Sequence, residues 1–182
     1  MDQTAELREL REQIGSLVDR NAIEDLLSEF AAAMDGQDAD RIPDLFTPDI
    51  VIEHPGGGAT GRDEVVTQLT QAISHHFTSH HMITNHRGTV TGDRAWAVAY
   101  FHSVHLDDPG QPDQHEDHGG WYLLELARTN QGWKIDRLKQ VSVWSAANRR
   151  PKGPLVASML DELRRHLRRS AEIDESYQNG LH

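Results

Sequence analysis

The chain has 182 residues, 37% of them hydrophobic and 26% charged, with a net charge of −11 and no cysteine. Such a composition belongs to a folded, water-soluble domain, and it excludes disulfides, thiolate metal sites and cysteine nucleophiles. It also argues against nucleic acid and anionic membranes as partners, because Lys and Arg would have to neutralise their phosphates.

The elements follow in order. Residues 4–18 place Leu7, Leu10, Ile14 and Leu17 at spacings of three and four, a narrow helical stripe of heptad type. It suits an ordinary amphipathic helix or a contact with another subunit. A second helix is expected from Asp19, read as its N-cap, to Met34, with Ile23, Leu26, Leu27, Phe30 and Met34 inward and Gly36 as terminator. A short helix is expected over Asp38–Phe46, then a strand at Ile50–Ile52 ended by Pro55-Gly-Gly-Gly58. Another helix runs from Gly61 to about Phe77. Long strands follow at His81–Val90, Ala95–Leu106, His118–Thr129 and Trp133–Trp144, with turns at Thr91-Gly92-Asp93 and Asn130-Gln-Gly132. Past Pro151, the segment Leu155–Ile173 reads as a basic helix. Helices first and antiparallel strands after predict an α+β fold, with helices packed on one face of a curved sheet. The expected organisation is an N-terminal helical extension (1–18), the domain (19–150) and a C-terminal helical tail (151–182). No apolar run is long enough to span a membrane. The N-terminus lacks the basic-then-apolar order of a secretory signal, so the expected location is cytoplasmic.

Two residues stand out for chemistry. Asp35 ends an apolar helix, where the helix dipole disfavours a carboxylate by roughly 0.3–1 kcal/mol. His81 opens a strand whose alternation puts His81, Ile83 and Asn85 on one face. On the next strand Ala97 and Ala99 favour the odd face, with Phe101, Ser103 and His105, as a cavity lining. The 12 histidines also permit a metal reading through His75-His76, His80-His81, His86 and His115-Glu-Asp-His118. None has a metal-specific spacing, so neither a metal nor an organic cofactor is expected. Nucleophile-elbow and P-loop patterns are absent.

The segments Asp19-Arg-Asn-Ala-Ile23-Glu-Asp-Leu-Leu27, Met34-Asp35-Gly, Leu45-Phe46-Thr-Pro-Asp49, Gly61-Arg-Asp and Gly132-Trp133-Lys-Ile resemble the SnoaL-like branch of the NTF2-like superfamily. The Asp-plus-His placement is most similar to the group containing scytalone dehydratase, hexachlorocyclohexane dehydrochlorinase and bile acid 7α-dehydratase. His81-x-x-x-Asn85 resembles the dehydrochlorinase. The resemblance implies a cone of helices against a strongly curved mixed sheet, with an apolar pocket. It also implies that His81 removes a proton and Asp35 partners it. Where the bile acid dehydratase pattern has tyrosine this chain has Phe30, and Tyr100 or Tyr122 can replace it only if strand parity points one inward. The second histidine of scytalone dehydratase corresponds to His102 or His105.

The expected function is a cofactor-independent lyase or isomerase acting on a small, hydrophobic, ring-containing molecule. Asp35 and His81 are the catalytic pair, and Phe30, Val51, Asn85, Phe101, Ser103, His105 and Trp144 bind substrate. A non-catalytic binding or oligomerisation domain is the alternative, and a partner of a larger iron protein is a third reading. A homo-oligomer, trimer or dimer, is expected, because one sheet face carries Trp96 and Tyr100.

Overall fold

The computed structural model describes residues 3–146 together with Glu162 and Arg165. The first surprise is the length of α1, which runs without interruption over Gln3–Asp35. The two helices expected there are one. No proline interrupts the stretch, good helix formers fill it, and Gly15 costs only about 1 kcal/mol. Asp19 is therefore not an N-cap. It accepts two hydrogen bonds from the Arg128 guanidinium (2.6 and 2.7 Å) and one from Trp133 Nε1 (3.1 Å). These bonds mark where the helix meets the sheet. Residues 3–18 are exposed on every side, whereas Ile23, Leu26, Leu27, Phe30, Ala33 and Met34 are buried.

After α1 the expected Asp38–Phe46 helix shrinks to a 3₁₀ turn, Ile42–Leu45, with Pro43 in its first turn. Strand β1 (Phe46–His54) turns back through Pro55-Gly56 into β2 (Gly57–Thr60), which the sequence reading took for loop. Helix α2 covers Arg62–Ser74. Then come the long strands β3 (Thr78–Thr91), β4 (Arg94–Leu106), β5 (His115–Thr129) and β6 (Gly132–Ala146). The Leu155–Ile173 helix falls outside the described residues, apart from Glu162 and Arg165, which are helical.

The six strands form one sheet in the order β2-β1-β6-β5-β4-β3. All neighbours are antiparallel except β1 and β6, which run parallel, so the sheet is mixed. Register shifts in β3–β4 and β5–β6 bend it around the docked half of α1. The main core lies on this concave side, where Leu27, Phe30, Phe46, Ile50, Leu124, Leu126 and Ile135 are all buried. The convex side carries a smaller cluster of Val98, Leu123 and Val141 beside Trp121. No helix among the described residues is long and apolar enough to cross a membrane.

Candidate active site

The site forms where α1 ends and β3 begins. Asp35 is the last residue of α1. Gln37, at φ +51°, turns the chain away and donates to the carbonyls of Ile73 and His76, fixing the helix end against α2. In β3, alternation sends Ser79 and His81 to the concave side. The Asp35 carboxylate then receives the Ser79 hydroxyl (3.1 Å), the His81 backbone N–H (2.9 and 3.1 Å) and His81 Nδ1 (2.6 Å). An ionised carboxylate only accepts hydrogen bonds, so Nδ1 carries a proton, and in the neutral ring Nε2 is then the basic atom. The His81 side chain is 7% exposed.

Charge follows from these contacts. Burial pushes the Asp35 carboxyl up, but the bonds from the His81 ring and backbone, the His81 charge and the Ser79 hydroxyl outweigh it. The net result is an acid held below the ordinary carboxylate value, and so ionised. The donors thus overcome the unfavourable helix end.

Register extends the site across the sheet. His81 faces Ser103 on β4, Ser103 faces His118 on β5, and His118 faces Ser145 on β6. His105, beside Ser79, makes ring contacts with His76 (4.6 Å, stacked), His81 (5.4 Å) and His118 (5.3 Å). Burial, then the charges of His81, His76 and His118, lower His105 to about 4, against a weaker opposing pull from Asp35. His105 is therefore a neutral imidazole at neutral pH. Among the described residues no three His, Asp or Glu side chains converge as metal ligands would.

The apolar wall is aromatic. Phe30 meets Tyr122 edge-on at 6.1 Å, and Phe101 stacks on Tyr122 at 4.6 Å. Tyr122 is the inward tyrosine, whereas Tyr100 is 44% exposed and packs on Trp121. Burial and the Asp35 charge push the Tyr122 hydroxyl well above its ordinary value, so it stays protonated.

Of the residues expected to line the site, Phe30, Phe101, Ser103 and His105 share the concave side with the Asp35–His81 pair, and three others do not. Asn85 is exposed, at φ +54°, in a bulge between Thr84 and Arg87 that flips the following parity. His86 takes its place on the concave side. It borders a crevice with Ile23, Leu27, Gly88, Val90 and Ala97, about 18 Å along α1 from Asp35 at 1.5 Å per residue. Val51 lies between buried Ile50 and Ile52, pairs with Arg137, and so faces the convex side. Trp144 is 44% exposed and lies over Gly119 against His102, also on the convex side. Of the two histidines left open on β4, His105 is the one within the site.

Ser79 carries no signal in the sequence, His76 and His118 stand out there only as possible metal ligands, and Tyr122 is open until strand parity is known. For Tyr122 a signal existed: Glu125 marks the odd positions of β5 as the convex side, which sends Tyr122, Leu124 and Leu126 inward.

Comparison with known proteins bears on the family and the fold. The uncharacterized protein Rv2910c of Mycobacterium tuberculosis is 32% identical over 127 residues, covering 68% of this chain and 85% of that protein. A scytalone dehydratase-like protein of Novosphingobium aromaticivorans superposes with a TM-score of 0.68 at 22% identity, covering 76% of this chain and 94% of that one. A type 2 hexachlorocyclohexane dehydrochlorinase, LinA, gives 0.61 at 20% identity, covering 75% and 90%. These superpositions show the shared α+β cone. Residues 15–139 match the SnoaL-like domain, and the chain belongs to that family.

Proposed function

We propose that the protein is a cofactor-independent lyase or isomerase that removes a C–H proton from a small, hydrophobic, ring-containing substrate. The observation that carries this reading is the 2.6 Å bond between His81 Nδ1 and an ionised Asp35. It fixes the tautomer, directs basicity to Nε2 and stabilises the imidazolium that forms, as the aspartate of a Ser-His-Asp triad does. In an elimination, Nε2 takes the proton, the C–H electron pair becomes the new double bond, and hydroxide or halide leaves the adjacent carbon. In this reading the inward, protonated Tyr122 hydroxyl hands a proton to a departing hydroxyl. In an isomerisation the proton returns at a different carbon. The Phe30, Phe101 and Tyr122 rings favour a cyclic apolar substrate of steroid, polyketide or terpenoid type.

The test is a panel of cyclic β-hydroxy ketones and halogenated rings, followed by mass spectrometry for loss of water or halide. His81→Ala and Asp35→Asn should each cut turnover at least ~10²-fold, the scale of general base catalysis, with circular dichroism unchanged. Turnover near wild type in both variants would sink the dyad.

One observation favours the non-catalytic alternative. Two of the groups on Asp35, the His81 backbone N–H and the Ser79 hydroxyl, would hold helix to strand with or without chemistry. A protein that binds members of the panel and converts none would establish that reading.

A further inference from the structure

Helix α1 is apolar on two sides that point in opposite directions. At about 100° per residue, the buried positions Ile23, Leu26, Leu27, Phe30 and Met34 centre on one face. Leu7, Leu10, Ile14 and Leu17 centre about half a turn away. The second stripe therefore does not continue the docking face into the domain. It is 47–59% exposed, on a segment that extends about 24 Å from the sheet at 1.5 Å per residue. An exposed stretch of about four turns of this kind is marginal in water without a partner, and none of the described residues buries the stripe.

The side chains around the stripe say what does. In heptad terms Leu7 and Ile14 occupy a positions, Leu10 and Leu17 occupy d, and Asn21 falls on the next a. Ile at a, Leu at d and a single Asn at a are the choices of a parallel pair of helices, with the Asn setting register. In that arrangement each g residue faces the e residue five positions on in the other helix. The g–e pairs are Glu6 with Arg11, and Arg20 with Asp25, opposite in charge at both ends, with Gln13 and Val18 between. An antiparallel pairing would set g against g and e against e, which can match Glu6 with Arg20 but loses both g–e pairs. All of these positions are exposed. Of the residues past 146, Glu162 and Arg165 are the ones described. Glu162 is held by Lys139, which leaves the convex side of the sheet, whereas α1 packs on the concave side.

We propose that residues 6–25 of α1 form a parallel, in-register, two-stranded coiled coil with a second copy of this chain. Because the stripe points away from the sheet, the two domains stand outside the seam and both Asp35–His81 sites stay uncovered by it.

Light scattering on the full chain tests this. Wild type should run at twice 20.5 kDa, and Ile14→Glu should halve the mass while leaving tryptophan fluorescence unchanged, since Ile14 is exposed among the described residues. Glu6→Arg should weaken the dimer, and Glu6→Arg with Arg11→Glu should restore it. The chain has no cysteine, so Leu10→Cys alone reports orientation: a disulfide-linked dimer forms on air oxidation only if the helices run parallel and in register. A monomeric or trimeric wild type overturns the proposal. So does a mass unmoved by Ile14→Glu, which would assign the contact to the sheet. Failure of Leu10→Cys to cross-link overturns the parallel arrangement.

Discussion

At the scale of single residues, Tyr122 and His105 separate the chemistry from the scaffold. Tyr122→Phe removes one oxygen and keeps the stack on Phe101. If the hydroxyl protonates a leaving group, dehydration of a hydroxylated substrate should fall ~10²-fold, while loss of halide, which needs no proton, should hardly change. Parallel assays of the two substrate types check this. His105 has a folded value of about 4 against an ordinary 6.5. The fold therefore binds this proton less readily than the unfolded chain does. Its contribution to stability is complete above 6.5 and is lost as pH falls toward about 4. His105→Gln should flatten the loss of stability across that window in urea titrations. The Asp35 contribution is lost at lower pH, below the ordinary 3.8, so the two are distinguishable.

At the scale of elements, bulges decided which expectations survived. Asp35 and His81 were legible because each sits at the edge of an element, before any irregularity accumulates. Asn85 was not: one extra residue in β3 opposes β4 there, and every later side chain changes face. Trp144 lies beyond a similar shift at Gly119/Gly120 in β5–β6. Val51 failed for a simpler reason, since its neighbours Ile50 and Ile52 are both better candidates for the concave side and only one parity can win. The bulge itself is testable. Asn85 is left-handed, a conformation that costs a β-branched residue about 1–2 kcal/mol or more. Asn85→Val should lower unfolding free energy by about that amount, and Asn85→Gly should stay within about 1 kcal/mol of wild type, both measured by chemical denaturation.

At the scale of the whole molecule, helices followed by a long-stranded meander announced the α+β class, and the scattered family motifs announced the cone. Three features have no local signal in the sequence. The parallel pairing of β1 with β6 joins segments far apart in sequence, and no local pattern encodes it. Strand β2 reads as loop because it begins Gly57-Gly58. Yet a Cβ at Gly58 would lie 2.5 Å from the Ile52 carbonyl oxygen, so the glycine permits close strand approach rather than marking a break. The unbroken helix was missed because Asp19 is a good capping residue, and only Arg128 and Trp133, from the other end of the chain, give it different work.

The carboxylate at the end of α1 has a consequence for descent. It fastens the helix terminus to the main chain of β3 as well as steering an imidazole. A lineage that abandoned turnover would still be penalised for discarding the acid, whereas nothing in the scaffold would defend the basic nitrogen. Across related sequences, loss of the histidine with retention of the aspartate would then be the signature of a domain that has given up catalysis.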